Sequence, residues 1–229
     1  MRAMLHEDIR RIFATTSTVQ QRFVAQHADA LARVIEVTVD ALAAGRTLFF
    51  FGNGGSAADA QHLAAEFVNR YQLARAPLPA LALTTDSSAL TSIANDFGYD
   101  EVFAKQIQAL GRAGDVAFAI STSGNAANVL RAVDACRQRG VITVGLTGGT
   151  GGQLAGRVDH LLCVDATRET ARIQETHIIV GHTLCELVER RLAERQGGSA
   201  GTGSTAVPAK GAARRPRAHG RSVPRARRS

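Results

Sequence analysis

The sequence predicts an α/β domain: a doubly wound, parallel, five-stranded sheet flanked by helices and preceded by N-terminal helices. Three observations carry this. Five short apolar runs stand at residues 47–51, 80–83, 116–120, 141–146 and 161–164. They are continuous rather than alternating, as strands covered on both faces are. The stretches between them are long enough for crossover connections, which parallel neighbours require.

The elements follow in order. From Leu5 to Leu42, apolar residues recur at helical spacing (Ile9, Ile12, Val24, Leu31, Ile35, Val39), and Gly45 supplies a stop, so one or two long helices open the chain. The strand at 47–51 leads into a helix over 56–71, and the short strand at 80–83 follows. Helical segments flank Ile93 and Phe103. The strand at 116–120, a helix over 125–139, strands at 141–146 and 161–164, and a final helix over about 171–194 complete the domain. In such sheets ligands bind at the carboxyl ends of the strands, where loops and helix N-termini collect.

Composition narrows the class. Hydrophobic residues make up 45% and charged residues 21%, values of a globular chain, while Trp is absent. No uninterrupted run of about 18 apolar residues exists, and the first eleven residues carry charges of both signs, so neither a membrane span nor a secretory leader is expected. Cys136, Cys163 and Cys185 are far apart and in no CxxC pair, which points to neither a disulfide framework nor a thiolate zinc site and fits a reducing cytoplasm. The net charge of +7 belongs to the C-terminus: residues 197–229 hold eight basic residues and no acidic one, leaving 19 Lys and Arg against 20 Asp and Glu in residues 1–196. With Pro208, Pro216 and Pro224 and few large apolar side chains, that tail cannot offset the entropy of ordering. Residues 1–196 are therefore expected to form the domain and 197–229 a disordered basic tail. The tail reads as solvated chain; an arm for nucleic acid or an acidic surface is the alternative.

Three loops at strand ends can meet a ligand. Gly52-Asn53-Gly54-Gly55-Ser56 lets backbone approach closely, with Ser56 placed to cap the next helix. It is neither a Walker A loop nor a GxGxxG fingerprint, and a tight turn without ligand explains it equally well. Ser121-Thr122-Ser123-Gly124-Asn125 offers three hydroxyls and helix N–H groups to phosphate oxygens, although such residues also serve as ordinary caps. Residues 147–152 add a third, glycine-rich loop. Lys105 and Lys210 are the only lysines; the first sits in a helical stretch and the second in the tail, which sets Schiff-base chemistry aside.

His62 and Glu66, at i and i+4, share a helix face and can be a metal half-site, an acid–base couple or a surface ion pair. On the last helix Gln174, His177 and His182 interrupt an apolar stretch. A lone His there is ordinarily a satisfied core residue, but His182 follows Gly181, which leaves room for another group to approach.

These segments, with Asp59, with Ala94-Asn95-Asp96-Phe97-Gly98, and with Arg172-Ile173-Gln174-Glu175 and His182, together resemble the phosphoheptose isomerase family of sugar isomerase (SIS) domain proteins over residues 5–195. The resemblance implies interconversion of sedoheptulose 7-phosphate and D-glycero-D-manno-heptose 7-phosphate, the entry to heptose precursors of bacterial surface glycans, by a cytoplasmic homotetramer often holding zinc. It implies Glu66 as base and His182 as acid, with His62, Glu66, Gln174 and His182 as ligands of one Zn2+ per subunit. It places substrate contacts on Asn53, Gly54, Gly55, Glu66, Asn95, Asp96, Ser121, Thr122, Ser123 and Gln174. Family members often carry Ser where Ala126 stands, so one phosphate contact is missing here. A carboxylate base, an imidazole acid and a Lewis acid suit an aldose–ketose isomerisation.

The competing resemblance is to non-catalytic SIS proteins: phosphosugar-sensing regulators and the DnaA initiator-associating protein, which stretches such as Thr84-Thr85-Asp86 resemble at least as well. That relative lacks the carboxylate and imidazole found here as Glu66 and His182, and no helix-turn-helix pattern marks a DNA reader.

Overall fold

The structure, a computed structural model, describes residues 2–199. The expected tail from residue 200 onward lies outside the described residues, while 197–199 continue the last helix. The order is α1 (Arg2–Ala43), β1 (Leu48–Gly52), α2 (Gly55–Val68), β2 (Ala80–Ala82), α3 (Ser87–Phe97), α4 (Ala104–Leu110), β3 (Val116–Ile120), α5 (Ala127–Arg139), β4 (Ile142–Gly148), β5 (His160–Val164) and α6 (Thr170–Ser199). Short 3₁₀ turns stand at Tyr99–Glu101 and Gly152–Gly156.

All strand pairs are parallel, in the order β2-β1-β3-β4-β5. The chain direction across the sheet reverses between β1 and β3, and ligand crevices form outside the carboxyl ends of strands at such a switch point. The side chains of β1 show why its apolar run is unbroken. Leu48 and Phe50 pack under α1, α2 and α6, where Phe50 stacks on Phe118 at 4.8 Å between ring centroids. Phe49 and Phe51 point to the opposite face and pack with Phe103, Ile107 and Val133. Period-two geometry thus fills both cores from consecutive residues.

The N-terminal helices are one continuous helix. The second half of α1 buries Val34, Ile35 and Val39 against the sheet and α6, whereas Leu5, Ile9 and Phe13 in its first turns stay exposed. Near its end, Glu36 and Asp40 pair with Arg191 and Arg195 of α6. No helix among the described residues is long and apolar enough to cross a membrane.

Two local expectations are corrected. Ser56 caps nothing: α2 starts at Gly55, its N-cap is Gly54 at φ 57° without a side-chain bond, and Ser56 is buried in the first turn. Likewise α5 begins at Ala127 with Ala126 as an uncapped N-cap, so 121–125 is a loop in its own right and not a capping run. The final helix runs to Ser199, past its expected end near residue 194, with Val188 and Leu192 carrying its buried stripe up to that point.

Candidate active site

The loops after β1, β3 and β4 meet at the carboxyl edge. Asn53 and Asn128 exchange amide hydrogen bonds of 2.8 and 2.9 Å, tying the first loop to α5, and the Tyr99 hydroxyl reaches Asn53 Oδ1 at 3.4 Å. Most of the Asn53 side chain is thereby committed, and that loop faces a ligand chiefly with backbone. In the second loop, Ser123 Oγ accepts from the Asn125 N–H, while Asn125 Oδ1 accepts from Gln153 N and Gly124 O from Leu154 N, which fastens it to the third loop. The Ser121 and Thr122 hydroxyls make no hydrogen bond among the described residues. Asn95 and Asp96 stand near the end of α3, exposed, with the Asn95 amide donating to Asp96 Oδ1 at 2.8 Å.

Helices α2 and α6 both start at this edge and run in the same direction, so residues at similar distances from their starts meet. The amide of Gln174 lies directly over Gly55, in the space a Cβ would need. About two turns further along both helices, a Cβ on Gly181 would stand 2.5 Å from Leu63 Cδ2. The room beside His182 is therefore filled by Leu63, and this close approach delivers His182 to His62. Their Nε2 atoms are 2.7 Å apart, and His62 Nε2 lies 3.7 Å from Glu66 Oε1. His62 thus links the expected base to the expected acid. All three side chains keep some exposure, and a ligand can reach them. Gln174 stands about 12 Å back along α6. Among the described residues no three His, Cys, Asp or Glu side chains are arranged to hold a metal ion.

Several supporting residues carry no sequence motif. Tyr71 lies against His182 with ring centroids 5.6 Å apart. Its loop is held by Glu189, a buried carboxylate on α6 that accepts from the N–H groups of Tyr71, Gln72 and Leu73 at 2.7–2.9 Å and from Arg75 Nε at 2.8 Å. Burial pushes the Glu189 carboxyl up, but those N–H bonds and the Arg75 charge outweigh it and hold the group below the usual range. Arg75 in turn donates to the carbonyls of Glu66 and Phe67, bracing the end of α2. The sequence signal for Glu189 is a carboxylate amid Leu187, Val188 and Leu192. Asp59, one turn before His62, has a buried carboxyl oxygen without a partner, and burial raises its pKa against the opposing effect of His62.

His177 is the core histidine: it is buried, its Nε2 stands 3.1 Å from the Thr147 carbonyl, and burial pulls its pKa down to about 4. Burial pushes the Cys136 and Cys185 thiols up to about 12, far from thiolate chemistry. Lys105 sits in the first turn of α4, with its ammonium over the Phe97 ring.

Comparison with known proteins matches residues 12–148 to the SIS domain family model. The phosphoheptose isomerase of Nitratidesulfovibrio vulgaris (strain DSM 19637 / Miyazaki F) is 55% identical over 179 residues, covering 77% of this chain and 84% of its own. Among solved structures, the phosphoheptose isomerase of Neisseria gonorrhoeae matches with TM-score 0.76 and 43% identity over 81% of this chain and 99% of its own. That of Francisella tularensis matches with TM-score 0.77 and 33% identity over 80% and 97%.

Proposed function

Because the chain belongs to the SIS domain family, and within it to the phosphoheptose isomerases, it is an isomerase, and we propose that its reaction is the interconversion of sedoheptulose 7-phosphate and D-glycero-D-manno-heptose 7-phosphate. The observation that carries the reading is the junction at α2 and α6, where His182 comes within 2.7 Å of His62 from 120 residues away, beside Glu66.

The phosphate sits against Ser121, Thr122 and Ser123, whose loop offers free hydroxyls and backbone N–H groups at the switch point. The sugar runs past Asn53, Gly54, Gly55 and Gln174 toward the histidines, with Asn95 and Asp96 contacting it from α3. Glu66 takes a proton from C1 of the ketose while His182 donates one to the carbonyl oxygen at C2, giving an enediol. Return of the Glu66 proton to C2, with loss of the O1 proton to the imidazole, yields the aldose and restores both groups. His62 orients the pair through its shared contacts.

Two imidazoles and a carboxylate are donors zinc takes, so His62, Glu66 and His182 would hold that ion once their side chains converge on it. Gln174, whose amide covers Gly55 about 12 Å back along α6 from His182, would join them only by turning away from that glycine. When bound, zinc polarises the carbonyl and hydroxyl oxygens as a Lewis acid. The chain works as a homotetramer in this reading, and the exposed apolar start of α1 (Leu5, Ile9, Phe13) is the surface it offers for assembly.

Incubating the purified protein with sedoheptulose 7-phosphate and following the aldose tests the assignment; no product overturns it. Chelation should lower the rate and zinc restore it, whereas indifference to chelator in metal-free protein removes zinc from the mechanism.

A further inference from the structure

A cavity of about 320 Å³ opens beside the second and third loops, lined by Thr122, Ser123, Gly148, Gly149, Thr150, Arg168 and Ile173. Its hydroxyls include two of those assigned to the phosphate, and Arg168 is the one charged side chain on its walls. The three strand-end loops themselves, 52–56, 121–125 and 147–152, hold no Lys or Arg. Ala126, at the start of α5, adds no hydroxyl.

Arg168 lies in the segment joining β5 to α6, two residues before the helix begins. Its stem rests on Gly149: Cγ is 3.7 Å from where a Cβ would project there. The residue is exposed, and its side chain lines the cavity from the Gly149 side. Among the described residues the guanidinium makes no hydrogen bond or ion pair, and no carboxylate lines the cavity with it.

A phosphomonoester carries close to two negative charges at neutral pH. Hydroxyls and backbone amides solvate such a group but leave its charge uncompensated. A planar guanidinium matches phosphate oxygens with paired donors and supplies the missing cation. We propose that Arg168 is the cationic residue of the phosphate subsite, binding the phosphomonoester across the cavity from Thr122 and Ser123 and selecting phosphorylated over free sugars. The inference rests on the phosphosugar reading of the same site and adds a residue to it.

Calorimetric titration of the full chain with inorganic phosphate tests this independently of turnover. In Arg168→Gln the phosphate Kd should rise about tenfold, as loss of a charge-assisted hydrogen bond implies, and Arg168→Lys should recover part of it. With sedoheptulose 7-phosphate, KM should rise in parallel while kcat changes less. An unchanged phosphate Kd and KM in Arg168→Gln, or no phosphate binding by the wild type, overturns the assignment. A wild type that binds phosphate through Arg168 but forms no aldose overturns the isomerase reaction and leaves Arg168 in place. Turnover with an indifferent Arg168 does the reverse.

Discussion

Single residues in this chain divide by what surrounds them, and two histidines five positions apart show it. His182 faces another imidazole, the Tyr71 ring and an opening; His177 faces one carbonyl, and its Nδ1 is buried with no partner. Protonating His177 would place an N–H where nothing accepts it. Between about pH 6.5 and 4 the unfolded chain takes a proton that the fold refuses, so stability is full above 6.5 and falls as pH drops toward 4, by on the order of 3 kcal/mol. Thermal denaturation at pH 7.5 and 5 should show about 2 kcal/mol of this loss, and His177→Gln, which keeps a donor for Thr147, should flatten it. An equal loss in both proteins would assign the acid sensitivity elsewhere. At the reacting end, Glu66→Gln should retain the fold and lose turnover by several orders of magnitude, roughly the scale of a missing general base. Near-wild-type turnover in that variant, read with sedoheptulose 7-phosphate, removes Glu66 from the base role.

At the scale of elements, the site is a product of how closely α2 and α6 approach. Gly181 permits Leu63 to seat against the α6 backbone, and Glu189 fastens the loop that follows α2 to the same helix. A methyl at 181 meets Leu63 at 2.5 Å and forces the helices apart, at a cost of about 1–3 kcal/mol. Gly181→Ala should therefore lower both the melting temperature and turnover, and adding Leu63→Ala should regain part of the turnover. The check is a double-mutant cycle: additive losses would mean that the two residues do not share this contact. Glycine was legible in the sequence as space beside a histidine. The occupant of that space was not, because Leu63 reads as one more apolar residue of an amphipathic helix until its neighbour is known.

For the whole molecule, the near-neutral charge of residues 1–196 and the position of the site at the sheet edge predict that the basic tail is dispensable for catalysis. Truncation after Ser199 should leave isomerisation at the full-length rate, measured with the same substrate; a collapse in rate would show that the tail completes the site. The architecture itself was legible. Apolar runs such as 47–51 and 116–120 match their strands to within a residue, since a strand buried on both faces leaves no other pattern. The helix starts were less so: Ser56 and Asn125 look like caps, yet tertiary contacts draw Ser56 inward and give Asn125 to the third loop. Glu189, Tyr71, Asn128 and Arg168 were silent because none sits in a motif, and each acquires its role from a partner distant in the chain.

What the amino-acid order determined alone is therefore everything governed by near neighbours: where strands and helices run, that the sheet is parallel, and that hydroxyl- and glycine-rich loops end its strands. Only the folded chain decided which imidazole meets which, that Gln174 covers Gly55, and that one arginine lines the cavity beside the serines. Local patterns reflect the repeat of a single element, whereas a site is made of side chains whose separation depends on how two elements pack, a distance that no spacing along the chain encodes.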